Sequence, residues 1–307
     1  MELVLEKTIR SAAFDIAVSP DGSRLAICGE RKITIFSLPG LYKENTIRVS
    51  HTSSMVFLGD NKSMLILTTT GRCIFWNGQI LESLGKWQVP RWEEKPVFYA
   101  GGNDVFWAGS HGIWKYNVNE GTMLKIFQTP HEPYICRVED GIVYAVILKY
   151  GVQLQHIEIL ELDFAGTVKR ACISRNNIQA ALFGEPCWNK NGNIAISTCV
   201  SKPLGVYSYC YLIDSVNGEI IFQKCEPHSG SCGDFYAAKD LLVKVGDALA
   251  EDVSIFDASN MRMLHRIEKT YLAGTDGVNP PSTVTFLDDG RLLVGTWTKL
   301  FVFKIVS

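Results

Sequence analysis

Residues 14–38 read FDIAVSPDGSRLAICGERKITIFSL, and their reading decides the fold. Residues 14–19 form a first short strand, which Pro20-Asp21-Gly22 turns back. Residues 24–29 form a second strand, Glu30-Arg31 turns that, and residues 32–38 form a third. Proline presets the φ of such a turn and glycine supplies the positive φ it often needs.

The pattern returns along the chain. Each third strand ends in apolar residues followed by a small or polar one: Phe36-Ser37, Trp76-Asn77, Tyr116-Asn117, Leu162-Asp163, Ile213-Asp214, Phe256-Asp257 and Phe303-Lys304. The spacings are 40, 40, 46, 51, 43 and 47 residues. Seven returns of a unit long enough for four strands match the period of a β-propeller blade. The expected fold is therefore all-β: a single domain over residues 1–307, with seven four-stranded antiparallel blades.

Composition agrees. Hydrophobic residues make up 47% of the chain and aromatic ones 11%, enough for a continuous core. The formal charge of −2 leaves no basic excess to neutralise phosphates, so nucleic acid is not an expected partner. No apolar run reaches the ~18 residues that span a bilayer, so no membrane is expected. The start, MELVLEKTIR, lacks the basic and apolar regions of a secretion signal. Nine cysteines, mostly inside apolar strand patterns and without a C-x-x-C, read as reduced thiols of a cytoplasmic protein. Cys225, His228 and Cys232 approach a metal-binding spacing but lack a fourth ligand, and neither metal nor cofactor is expected.

The two ends of the chain read as one blade. Residues 2–9 alternate as a strand with nothing before them to pair with. The last unit has only three strands, at residues 282–287, 291–297 and 300–306. The N-terminal strand is expected to complete it, closing the ring and removing an edge. Elsewhere the turns punctuate clearly, as at Asn77-Gly78, Asn217-Gly218 and Asp288-Asp289-Gly290. The outer strand of blade 1 is read near residues 45–49, and residues 200–207 and 245–252 are read as long loops between second and third strands.

The chain resembles the WD40-like (or YVTN-like) seven-bladed propellers. Ser19-Pro20-Asp21-Gly22 matches that family's first turn, and Trp76-Asn77, Ile213-Asp214 and Phe256-Asp257 stand where it ends a third strand in Trp-Asp. No Gly-His pair opens a blade, so the family's His–Ser–Trp–Asp tetrad is not matched, and the resemblance is one of architecture with divergent repeats.

Such an architecture implies a non-enzymatic scaffold that presents its loop-rich top face to a protein partner. That face joins the connections between blades to the turns between second and third strands, and loops on a rigid frame are where binding residues gather. Its candidates are His51, Arg91, Trp92, His131, His228 and Tyr271, aromatic and basic residues of the type found at interface hot spots. Trp107, Trp114, Trp188 and Trp297 are read instead as packing between blades. The alternative is a small-molecule enzyme or binder of the lactonase type. It would use Asp15, Glu185, Asp234 and the loop histidines around the central channel. No nucleophile elbow, H-E-x-x-H or Walker loop is present, and no catalytic residue is assigned. Exposed outer strands offer a third possibility, pairing with another chain.

Overall fold

Seven antiparallel blade sheets follow one another along the chain, their strands consecutive in sequence except at the seam between the termini and in blade 4, where Leu154–Gln155 leaves to pair with Ile178–Gln179. The computed structural model describes residues 1–87, 99–101, 103–109, 111–148, 154–176, 178–179, 182–189, 191–203, 205–227, 234–238, 240–246, 252–268, 271–272 and 281–306. Blade 1 consists of Asp15–Val18, Arg24–Cys28, Ile33–Ser37 and Tyr42–Ile47. Blade 2 consists of Thr52–Phe57, Met64–Thr68, Arg72–Trp76 and Leu81–Lys86. Blade 3 runs Tyr99–Gly101, Asp104–Gly109, Gly112–Asn117 and Thr122–Gln128, and blade 4 Glu132–Glu139, Ile142–Leu148, Ile157–Asp163 and Val168–Ile173. In blade 5 the inner strand is split into Leu182–Phe183 and Cys187–Trp188, both paired to Asn193–Lys202, with Gly205–Asp214 and Ile220–Pro227 outside. Blade 6 runs Asp234–Ala238, Leu241–Val245, Val253–Asp257 and Met263–Ile267. Blade 7 takes Pro281–Phe286, Arg291–Thr296 and Leu300–Val306 from the end of the chain and Glu2–Ile9 from its start. The closure is antiparallel, from Glu2 opposite Val306 to Ile9 opposite Leu300.

The core is laid down in seven layers, one at each junction between neighbouring blades. Strand alternation builds them. In Arg24–Cys28, Leu25 and Ile27 face blade 7, packing with Leu293 and Val302. Ala26 and Cys28 face blade 2, packing with Met55 and Ile66. Each middle strand is thus buried on both faces, which is why these strands read as unbroken apolar runs rather than alternating ones.

The repeated small or polar residue after each third strand has a local cause. In blades 2 to 6 its side chain caps the turn to the outer strand. The Asn77 Oδ1 accepts the N–H groups of Gln79 and Ile80 at 3.0 and 2.9 Å. Asp163 accepts those of Ala165 and Thr167 at 3.0 and 2.8 Å. Asp214 and Asp257 do the same for Val216 and Ser259 at 2.7 and 2.9 Å. Short polar side chains bind backbone two residues on in this way, and the turn is set without help from the core.

Outer strands carry a second repeated feature. In all seven blades the register between third and outer strand slips, and each time the outer strand holds the extra residue. Glu44, Leu84, Ile126 and Lys169 are four of these bulged residues. A bulge bends and twists an edge away from flat pairing, so each blade blunts the edge it exposes. This speaks against addition of a foreign strand at the rim.

Three details differ from the sequence reading. The outer strand of blade 1 is Tyr42–Ile47 rather than 45–49. Its first four residues are exposed, so no burial alternation marks where it begins. Residues 200–207 are not a loop: Val200 pairs with Tyr207 and Lys202 with Gly205, in a hairpin of two ten-residue strands. Trp297 is 53% exposed at the turn after Arg291–Thr296 and packs in no layer, unlike Trp107 and Trp188, which are 0% and 3% exposed. Residues 247–251 of the other expected loop lie outside the described residues.

The capped turns predict an acid-sensitive stability. The Ser19 hydroxyl holds the Asp21 carboxyl below the usual carboxylate range, and the Ser259 hydroxyl does so for Asp257. Arg291 lowers Asp289, and Lys169 takes Asp163 down to about 2. At Asp60 burial opposes the shift, and the Ser63 hydroxyl and backbone N–H override it. Each folded pKa lies below its unfolded value near 3.9, so the stabilisation is full above pH ~4 and is lost as pH falls through the folded values. The thermal midpoint is expected to hold from about pH 7 to 5 and to decline from about pH 4 to 2. Asp163→Asn should flatten that decline; an unchanged slope in a pH series of melts would refute the assignment.

Candidate functional site

The strand directions give the ring two unlike faces. On one face lie the turns between first and second strands and between third and outer strands, most of them short and side-chain capped. On the other, the top, lie the two–three turns and the connections from blade to blade. Additions to the basic blade gather there. Blade 5's middle strands have ten residues each, against five for Arg24–Cys28 and Leu241–Val245. At the usual rise per residue, this hairpin stands about 16 Å above the five-residue strands of blades 1 and 6 and about 10 Å above the seven-residue ones of blade 4. Leu182–Phe183 braces it through Thr198 and Cys199, and a two-stranded ribbon of Leu154–Gln155 and Ile178–Gln179 lies beside it. Val200, Tyr209 and Ile178 extend the blade 4–5 layer upward to support it.

Of the residues expected on the top face, three are described. His51, exposed between blades 1 and 2, adopts a left-handed φ of 58°, donates its N–H to the Glu30 carbonyl at 2.9 Å and accepts from Thr69 at 2.7 Å. His131 is half-buried between blades 3 and 4, its N–H bonded to the Thr129 hydroxyl at 3.1 Å. Tyr271, 51% exposed, leads into blade 7 and lies over Phe303 with ring centroids 6.2 Å apart. Beside it Leu272 is fully buried in the blade 6–7 layer and anchors the turn. These three come from separate junctions and do not form one cluster. Arg91, Trp92 and His228 lie outside the described residues.

Trp297 is the exposed aromatic that sequence reasoning passed over. It ends the apolar run LLVGTW and so looks like strand. The signal that places it is the following Thr-Lys, since the Thr296 N–H and hydroxyl donate to the Lys299 carbonyl, and the hydroxyl accepts the Lys299 N–H, to close a tight turn there. Trp297 and Tyr271 both border the strand Leu300–Val306, one at its head and one against its Phe303.

The inner strands enclose a channel of about 620 Å³. Asp15, Glu185 and Asp234 all line it, as their place on or just before inner strands leads one to expect, together with Glu132 and Arg137. Two of these carboxylates fasten blades to one another. The Asp15 Oδ2 accepts the Met55 N–H of blade 2 at 2.9 Å, and the Asp234 Oδ1 accepts the Glu185 N–H of blade 5 at 2.8 Å. The Ser282 hydroxyl likewise donates to the Ala13 carbonyl at 2.7 Å across the blade 7–1 junction.

Electrostatics in the channel keep its weak acids protonated. Burial pushes the Tyr236 hydroxyl well up, and Asp234, Glu185 and Asp15 push it further. Burial, then Cys187 and Glu185, raise the Cys136 thiol. Burial also raises Cys187. A thiol held this way is a poor nucleophile, because the thiolate is the reactive form. Among the described residues no three His, Cys, Asp or Glu side chains gather closely enough to hold a metal ion.

Comparison with known proteins adds one finding. No family model matches the chain, and no curated protein does. Among solved structures, the β-propeller domain of Cps50 (Swd1) from Myceliophteria thermophila superposes with a TM-score of 0.69 at 9% identity, over 99% of this chain and 100% of that one. At such identity the likeness speaks to fold alone, and the fold is that of a WD40-like seven-bladed propeller.

Proposed function

We propose that this WD40-like propeller is a non-enzymatic interaction scaffold whose top face receives a protein partner. The observation that carries the reading is the exposure of two large aromatics that border one strand of blade 7: Trp297, 53% exposed in the turn before it, and Tyr271, 51% exposed in the connection leading into the blade. Large aromatics on a rigid frame are the usual anchors of a protein interface, and both of these are more than half exposed. The raised hairpin of blade 5 gives the same face a wall. His51 and His131 belong to this surface, and we assign Arg91, Trp92 and His228 to it from their place in the sequence. Other exposed apolar residues, such as Tyr42, Ile80 and Val216, begin outer strands or lie in the turns before them, on blades 1, 2 and 5. Apolar residues scattered singly in this way are ordinary surface.

Affinity capture from the native cell, read by mass spectrometry, tests this. A Trp297→Ala, Tyr271→Ala double variant is expected to lose partners that the wild type and a Tyr42→Ala, Val216→Ala rim variant both retain. Trp92→Ala, run in parallel, tests the sequence-based assignment. Partners retained by every top-face variant would move the site off this face. A second reading keeps the channel, whose volume of about 620 Å³ falls in the range of small-molecule sites. Its carboxylate-rich lining would favour a cationic metabolite, which a rise in melting temperature across a metabolite panel would reveal.

A further inference from the structure

We infer that the top rim of blades 7, 1 and 2 docks an acidic peptide segment of the partner protein, with an apolar or aromatic side chain of that segment seated against Trp297. The inference rests on the scaffold reading and gives it a chemistry. Arg10, Arg31, Lys32, Arg48, Arg72 and Lys86 are all exposed on this rim. They come from the blade 7–1 connection, the two–three turn of blade 1, the end of its outer strand, and the top of blade 2. Backbone bonds make these places neighbours. The Ala13 N–H donates to Thr296 at 2.9 Å, the His51 N–H to Glu30 at 2.9 Å, the Thr69 N–H to His51 at 2.7 Å and the Trp87 N–H to Gly71 at 2.8 Å. The two–three turns of blades 7, 1 and 2 thus form one continuous strip, with Trp297 at one end.

This strip is net cationic, with Glu30 exposed beside Arg31 against six cations. Ion pairs occur on other parts of the molecule, as at Arg24–Glu44, Lys115–Asp104, Arg170–Glu161 and Arg266–Asp252. Among the described residues none of the six rim cations forms one. Arg72 and Lys86 even stand directly opposite each other across two strands. Like charges so placed weaken a sheet, and packing gives no reason for them. A chain with a formal charge of −2 that gathers six cations on one rim is complementary there to an anion.

Geometry narrows the anion to a peptide. Just inside the rim the channel lining carries Asp15, Glu132, Glu185 and Asp234. An acidic segment is repelled from the channel and attracted to the rim, so its path is set. A flat anionic bilayer or a stiff duplex would meet the blade 5 hairpin first, since it stands about 16 Å higher on the other side of the same face. A flexible segment bends along three blades without that clash. Trp297 supplies the apolar contact for a side chain of that segment.

The experiment is a display library of random peptides about twelve residues long, panned on the wild-type protein and on variants. Wild type is expected to enrich peptides with several Asp or Glu around an aromatic or aliphatic residue. Arg31→Glu with Arg48→Glu should weaken those peptides by about tenfold or more, and raising salt from about 50 to about 300 mM should weaken them on wild type. Arg31→Gln with Arg48→Gln should give an intermediate loss, which separates charge from collapse. Enrichment of neutral or basic peptides, no enrichment at all, or indifference to charge reversal overturns the inference. Tighter binding of oligothymidylate or phosphatidylserine vesicles than of the acidic peptides, with the same sensitivity, overturns the choice of a peptide. Peptides lost on Trp297→Ala but unmoved by charge reversal leave the scaffold reading standing and sink the acidic segment alone. Peptides unmoved by either sink both.

Discussion

Deleting residues 1–8 lowers the melting temperature of the entire ring and leaves a single transition. The strand Glu2–Ile9 makes seven pairs with Leu300–Val306, interrupted by one bulge at Glu6. Its side chains contribute little packing, since only Leu3 and Ile9 are half-buried. What the deletion removes is the ladder, at roughly 1 kcal/mol net per hydrogen bond, and the bond from Lys7 Nζ to the Leu41 carbonyl at 3.2 Å. The truncated chain no longer has to order these eight residues, which offsets part of this, so the net loss is a few kcal/mol at most. In a chain of 307 residues each kcal/mol lost lowers the melting temperature by about 1.5 °C. The truncated protein also exposes LFVFKIV as an apolar edge, and concentration-dependent association should accompany the lower melting temperature. Circular dichroism melts at two protein concentrations check both effects. An unchanged melting temperature would mean that blade 7 is stable with three strands and that the seam is not what holds the ring.

The seam was legible because the strand count of the last unit was short by one and the first strand lacked a neighbour. The period was legible for a more local reason. The residues that mark it, from Ser37 to Asp257, stand where the turn to the outer strand begins, and Asn77, Asn117, Asp163, Asp214 and Asp257 bond the backbone of that turn directly. Turn chemistry survives in a sequence because it needs a residue type at a fixed place. Asp15, Glu185 and Asp234 could be placed at the channel for the same reason, since position on or just before an inner strand suffices. Where neither a turn nor a burial pattern marked a boundary, reading failed. The outer strand Tyr42–Ile47 is exposed over its first four residues and was shifted by three. The hairpin of blade 5 was hidden by Ser201-Lys202-Pro203-Leu204-Gly205, which looks like loop punctuation although its flanks are paired. The basic rim was invisible for a different reason. Its cations are spread from Arg10 to Lys86, interleaved with strands that face elsewhere, and only the closed ring brings them to one edge of one face.

Trp107→Ala tests the ring far from the seam. Trp107 is fully buried in the blade 2–3 layer, stacked on Trp87 with centroids 4.8 Å apart and on Trp114 at 6.3 Å. Trp87 in turn meets Tyr116 at 4.8 Å. Truncation removes the middle ring of this stack and leaves a cavity that the stiff strands around it cannot close, so the loss is about 3–5 kcal/mol with a further ~1 kcal/mol for the aromatic contacts. Trp107→Phe keeps an aromatic ring in the layer and should lose less than half as much. The decisive result is the shape of the transition. Each blade shares one apolar layer with each neighbour, and the closure leaves no terminal blade to fray. A closed ring of shared layers should therefore melt as a unit: Trp107→Ala shifts the same single transition as the deletion, and the two losses add because their sites share no partner. An open repeat array behaves otherwise, since its stability is a sum over neighbours and a weak layer melts alone. If Trp107→Ala split the melt into two steps, blades 2 and 3 would be an independent unit and the ring would be cooperative in form only.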